Sequence, residues 1–184
     1  ISIGLVGSEM CIRDSSLSHN LLNMITKTTI KYLKLQIESG ADMLQIFDSW
    51  AGILTPEQYA EFGMKYVNEI CESIDEVPTT VFCKGAYFAL NDMKKLNCNT
   101  IGLDWNMDIE SAKNIFQNTK TLQGNLDPCV LYGNFNLIEK KTKEMMNRFG
   151  NSRHIANLGH GVYPDINPEN VKCFIQAVKS HNLN

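Results

Sequence analysis

A chain of 184 residues and 20.8 kDa can bury one sizeable core but is shorter than the roughly 250 residues a complete eight-unit α/β barrel uses. Apolar residues at 43% and charged residues at 20% exclude a disordered chain and match a folded domain of the soluble class. A formal net charge of -3 and a pI near 5.8 give no basic field for generic nucleic-acid or anionic-membrane binding, which leaves a small molecule as the expected partner.

No apolar run approaches the roughly 20 residues of a spanning helix, and the Lys-rich stretches form no sustained basic amphipathic helix, so no membrane role is expected. Cys11, Cys71, Cys83, Cys98, Cys129 and Cys173 are scattered without CxxC or CxH spacing. That pattern writes no local zinc or redox site, and reduced thiols fit a reducing cytoplasm. Residues 1–15, ISIGLVGSEMCIRDS, have no initiator Met or basic n-region and do not join the pattern that follows. They are expected to be a non-native leader resembling translated adapter sequence, with residues 16–184 forming part of one domain.

The first expected helix runs over Leu21 to Ser39 and ends at Gly40, a suitable C′ residue. MLQIF from Met43 reads as a strand, followed by the turn-like DSWAGIL. Thr55-Pro56-Glu57-Gln58 supplies an N-cap, an N1 proline and a capping-box glutamine. The helix that follows places Tyr59, Phe62, Tyr66, Ile70 and Ile74 on one apolar stripe. Next come TTVFC from Thr79, a helix over Phe88 to Leu96, TIGLD from Thr100, a helix over Asp108 to Gln117, and a short strand at Thr121. Leu137 to Phe149 reads as an amphipathic helix, HIANLG from His154 as the last strand, and Asn167-Pro168-Glu169 as the start of a final helix. About five βα units preceded by a helix make an α/β fold, read as a partial (β/α)8 TIM barrel. No GxGxxG or Walker pattern follows any strand, so an open nucleotide-binding sheet would lack its usual phosphate site.

In such folds functional groups collect beyond the C-terminal ends of strands. Those positions hold Asp48 and Ser49, Lys84 and Tyr87, Asp104 and Trp105, Asn125 and Asp127, and His160 with Tyr163. His160 lies between two glycines in NLGHGVYPD, where the backbone can turn tightly and aim the imidazole over the strand end; it contacts substrate or caps the turn. Ser49 in FDSWAG lies in no GxSxG elbow and is a substrate contact or a turn hydroxyl. Asp48 is an acid or base, or a strand-end aspartate bonded to loop amides. Asp104, Asn125 and Asp127 read first as turn-forming side chains and second as substrate contacts, Trp105 and Tyr87 first as packing of the barrel top and second as lining of an aromatic pocket, and His19, His154 and His181 as surface groups.

The segments GADMLQIFDSWAGILTPEQY, GLDWNMD, TLQGNLDP and IANLGHGVYPDINPENV, in this order and spacing, resemble the uroporphyrinogen decarboxylase family from about Leu21 to the chain end. The resemblance implies the C-terminal part of a TIM-barrel carboxy-lyase, a cytoplasmic homodimer of heme and tetrapyrrole biosynthesis that uses no metal or organic cofactor. It implies decarboxylation of the four acetate side chains of uroporphyrinogen III to give coproporphyrinogen III, with Ser49 and His160 as substrate-binding residues. The family's N-terminal arginine motif, its pyrrole-binding aspartate and its active-site tyrosine have no counterpart among these residues. The principal catalytic groups are therefore unassigned here, and residues 1–184 alone are expected to be inactive.

Two other readings stay open. A related cobalamin- or zinc-dependent methyltransferase shares the barrel but would show a His-x-Cys motif where this chain has FCKGAY, with Cys83 alone. A noncatalytic barrel could retain a tetrapyrrole pocket without turnover.

Overall fold

The computed structural model describes residues 15–151 and 153–181, which fall into two compact units divided between Ile101 and Gly102. The proposed leader, with Cys11 and Arg13, lies outside the described residues except for Ser15.

In the first unit, helix α1 covers Ser15–Glu38, beginning upstream of the expected start. Gly40 at φ +98° closes it, its amide donating to the Ile37 carbonyl while Ala41 donates to Gln36; only a glycine adopts that backbone readily. Strand β1, Leu44–Asp48, pairs in parallel with β2, Thr79–Cys83, in a register running from Leu44 opposite Thr79 to Asp48 opposite Cys83. Every residue of β2 is buried, as expected of a parallel strand covered on both faces. Leu33 of α1, Leu44 of β1, and Ile70 and Ile74 pack into one apolar cluster with Ile30, Ile37, Ile46 and Val77 around it.

After β1, helix α2 spans Pro56–Tyr59, widens into a π segment over Ala60–Met64 and continues as α3, Lys65–Glu72. The capping box read from the sequence is formed: the Gln58 amide donates to Thr55 Oγ1 at 3.3 Å, and the Thr55 amide donates to Gln58 Oε1 at 3.2 Å. The expected apolar stripe is the buried one at Tyr59, Tyr66, Ile70 and Ile74, with Phe62 half-buried. The helix expected over Phe88 to Leu96 is instead a 3-10 turn at Tyr87–Ala89 and one α turn, α4, at Leu90–Met93. Asn91 and Asp92 interrupt the apolar pattern, and Leu90, Met93 and Leu96 are buried by single turns. Strand β3 is short, Thr100–Gly102.

In the second unit, α5 covers Ile109–Phe116, capped by the Asp108 carboxylate, which accepts from the Ser111 amide, and closed by Gln117 at φ 47°. Strand β4, Thr121–Leu126, is longer than expected and pairs in parallel with β5, His154–Leu158. Helix α6, Phe135–Phe149, and helix α7, Pro168–Lys179, begin at Asn134 and Asn167, whose side-chain oxygens accept from Leu137 and Glu169 amides. Ile138, Met145, Met146 and Phe149 of α6, with Phe174 and Ala177 of α7, are buried. Ile175 of α7 is 43% exposed. No described helix is long and apolar enough to cross a membrane.

Candidate functional site

Side chains alternate between faces along a strand, so Asp48 and Cys83, directly opposite in register, share one face at the ends of β1 and β2. The fully buried Tyr59 lies over them, its hydroxyl donating to Asp48 Oδ2 at 3.1 Å and bonding the Cys83 thiol. Gly63 makes this possible, since a Cβ there would overlap the Tyr59 ring. Ser49 and Trp50 follow at the strand tip, both exposed.

The loops after β1 and β2 are fastened backbone to backbone. The Lys84 amide donates to the Asp48 carbonyl and the Gly52 amide to the Lys84 carbonyl, both at 2.9 Å. A Cβ on Gly52 would sit 2.7 Å from Gly85 Cα, so the two loops touch only because both positions are glycine. Asp48, Ser49 and Trp50 border a cavity of about 350 Å³ walled by Leu22, Phe62 and Tyr66. Tyr87, read as a packing group, is instead 66% exposed.

Burial raises the Asp48 carboxyl above the ordinary value of 3.8, while the bonds from Tyr59 and the Trp50 backbone pull it down. The folded chain holds this proton more tightly than the unfolded chain. The stabilisation is therefore fully present below the ordinary aspartate value and is lost as pH rises through the raised one. Asp48→Asn keeps an acceptor for Tyr59 and removes the charge. Its stability relative to the native chain is expected to climb with pH above about 4 and to stay flat below, checked by urea unfolding at steps from about pH 3.5 to 7. A relative stability that falls with pH would contradict this.

In the second unit, the ends of β4 and β5 carry His160. The Gly159 amide donates to the Leu126 carbonyl at 2.8 Å, and a Cβ on Gly159 would lie 2.6 Å from Trp105 Cα. This close approach holds the His160 ring edge-on to Trp105, with centroids 5.7 Å apart and planes at 85°. Below them, the buried Asn125 side chain donates to the carbonyls of Asp104 and Met107, both at 2.8 Å. Asp127 accepts from the Cys129 amide. Asn125 and Asp127 thus act in turns, as read from the sequence, and Asp104 is buried. Trp105, Asn125 and Asp127 line a second cavity of about 340 Å³ with Lys141 and Arg148 at its edge.

Ser49 and His160 belong to different units, and each occupies the predicted position just past a strand end in its own. The structure corrects the three histidines read as surface groups. His154 is half-buried, stacks on Phe149 with centroids 3.8 Å apart and has Nε2 2.8 Å from the Gly124 carbonyl. Burial lowers its pKa below 6.5. His19 stacks on Phe62 and lies 2.6 Å from the Tyr66 hydroxyl, and His181 is half-buried. The sequence reading singled out Tyr59 only as an apolar stripe residue, and it passed over Tyr132 and Asp165, which join the loops after β4 and β5.

The family model described as uroporphyrinogen decarboxylase (URO-D) matches residues 7–181. A uroporphyrinogen decarboxylase of Christiangramia forsetii is 42% identical over 174 residues, 94% of this chain and 51% of that protein. One of Schizosaccharomyces pombe is 44% identical over 171 residues, 86% of this chain and 48% of that protein. The chain spans about half the length of the curated relatives it matches. A solved structure of a methyltransferase from Methanosarcina mazei superposes with a TM-score of 0.84 at 22% identity, over 94% of this chain and 52% of that one, a likeness of fold. Parallel strands alternating with helices are accordingly a partial TIM barrel of the α/β class. Matched across residues 7–181 and by relatives at 42–44% identity, the chain belongs to the uroporphyrinogen decarboxylase family.

Proposed function

We propose that this chain carries the C-terminal share of a uroporphyrinogen decarboxylase, in which Ser49 and His160 contact the porphyrinogen. The observation that carries the reading is the family match over residues 7–181. Ser49 past the end of β1 and His160 past the end of β5 support it, because substrate groups gather at such strand ends. Each acetate side chain of uroporphyrinogen III would lose carbon dioxide and gain a proton to become a methyl group, giving coproporphyrinogen III. Protonating a pyrrole carbon makes the ring an electron sink for the electron pair left when the C–C bond breaks. The new methylene carbon is then protonated and the ring proton returned. The substrate thereby supplies the chemistry that a metal or organic cofactor would otherwise provide.

The reading extends to a homodimer of heme and tetrapyrrole biosynthesis in the cytoplasm, where thiols outside disulfides, such as those of Cys71, Cys83, Cys98, Cys129 and Cys173, persist. It also predicts that residues 1–184 alone turn over no porphyrinogen. A substrate with eight carboxylates calls for several arginines. Here Arg148 is engaged by Asp108 at 2.6 Å and by Glu110 at 3.9 Å, and Arg153 is exposed just before β5.

The two tryptophans, Trp50 and Trp105, each neighbour one of the two proposed contacts and report binding. Titration with uroporphyrin III, the stable oxidised form, is expected to quench their fluorescence saturably. Ser49→Ala and His160→Ala are each expected to weaken binding about tenfold, the loss of a hydrogen bond to a charged group. Saturable binding that neither substitution changes would overturn the assignment of these residues.

A further inference from the structure

The segment from Gly159 to Asp165 is fastened at both ends and free between them. At its start, the Gly159 amide is bonded to Leu126 and its Cα is pressed on the Trp105 backbone. At its far end, the Tyr132 hydroxyl donates to Asp165 Oδ1 at 2.5 Å. The Tyr132 and Tyr163 rings stack there, with centroids 6.2 Å apart and planes at 27°. The Ile166 amide closes a turn on the Tyr163 carbonyl. Beyond, Asn170 of α7 donates to the Leu131 carbonyl at 2.6 Å, tying the next helix to the same loop. At the crest, nothing within 4 Å would meet a Cβ on Gly161, and His160 has Trp105 beside it.

We propose that Tyr132 and Asp165 are positioning residues for His160: their hydrogen bond, with the Tyr132–Tyr163 stack, fixes the far end of this segment so that the imidazole stays against Trp105. Two glycines flank His160, so its backbone has the widest conformational range of any residue type on either side. A crest of that kind keeps one geometry only if both flanks are held. The hydrogen bond to a carboxylate is of the stronger, charge-assisted sort. Tyr132 is joined to the segment by both a ring stack and a hydroxyl, so the two contributions separate by substitution. The consequence for substrate rests on the reading of His160 as a porphyrinogen contact; the consequence for the segment does not.

The test uses the whole chain. Tyr132→Phe keeps the ring stack and removes the donor, Asp165→Ala removes the acceptor, and Asp165→Asn retains an amide oxygen that accepts from Tyr132. Amide hydrogen exchange and the His160 ring proton shifts, which feel the Trp105 ring current, are read without ligand. Tyr132→Phe and Asp165→Ala are expected to speed exchange at Ile166, whose amide is bonded to the Tyr163 carbonyl, about tenfold and to move the His160 shifts toward those of a free imidazole. The β5 amides should keep their protection, and Asp165→Asn should return both readouts close to the native values. Unchanged exchange and ring shifts in Tyr132→Phe would overturn the proposal. So would a loosening spread equally over β5 and α7, which marks general stability. Uroporphyrin III titration separates the two readings: absent binding by the native chain counts against the functional reading, while the ligand-free measurements still decide the positioning role.

Discussion

Gly159→Ala is expected to destabilise the second unit by about 3 kcal/mol, the upper range for overpacking a filled site, and to detach His160 from Trp105. A Cβ at this position would lie 2.6 Å from Trp105 Cα and 2.8 Å from its Cβ. Much of the obstruction is backbone, which cannot rotate away as the end of a side chain can. The chain can relieve it only by moving the segment after β5, and that movement breaks the Gly159 bond to Leu126. Urea unfolding followed by circular dichroism gives the stability change, and Trp105 emission reports the lost contact. Gly161→Ala is the control, since its Cβ would meet nothing within 4 Å, and it is expected to shift stability by less than about 0.5 kcal/mol. Equal stability of the two variants would mean that the approach of Gly159 to Trp105 is not the constraint described here.

Tyr59→Ala is expected to cost about 3–5 kcal/mol, the range for truncating a buried aromatic side chain. Tyr59 is 1% exposed, stands edge-on to Phe88 with centroids 5.9 Å apart, and fills the space that Gly63 leaves open. Tyr59→Phe separates the ring from the hydroxyl. It is expected to cost about 1–2 kcal/mol, because it keeps the packing and leaves Asp48 and Cys83 without their shared partner. Paired with Asp48→Ala in a double-mutant cycle, the two changes should be non-additive, since each removes the same hydrogen bond. Strictly additive losses measured by denaturant unfolding would show that the hydroxyl and the carboxyl act separately.

What the sequence revealed and what it hid divides by distance along the chain. Thr55-Pro56-Glu57-Gln58, Asp108 and Asn167 were readable as helix starts because a cap acts on amides two or three residues away. The strand positions followed from short apolar runs, and the places of Ser49 and His160 followed from those strands. Phe88 to Leu96 misled because three well-spaced apolar residues can be buried by consecutive single turns as well as by a helix. His154, at the start of a strand, read as a surface group. Its ring is covered by Phe149, the last residue of the expected amphipathic helix, but no spacing rule links a helix's last residue to the next strand's first. The bond from Tyr59 to Asp48 and that from Tyr132 to Asp165 join residues 11 and 33 positions apart, and neither pair carries a local signal. Function was legible mainly through the family resemblance, for the strand-end residues alone left Ser49 and His160 with two readings each.

The most direct test of the proposed function joins this chain to the half of the Christiangramia forsetii relative that it does not match, and assays the purified, folded chimera with uroporphyrinogen III. The account predicts coproporphyrinogen III and released carbon dioxide, with the rate lowered at least about tenfold by Ser49→Ala or His160→Ala. A folded chimera that binds the porphyrinogen and releases no carbon dioxide would contradict the decarboxylase reading and leave a barrel that binds without turnover.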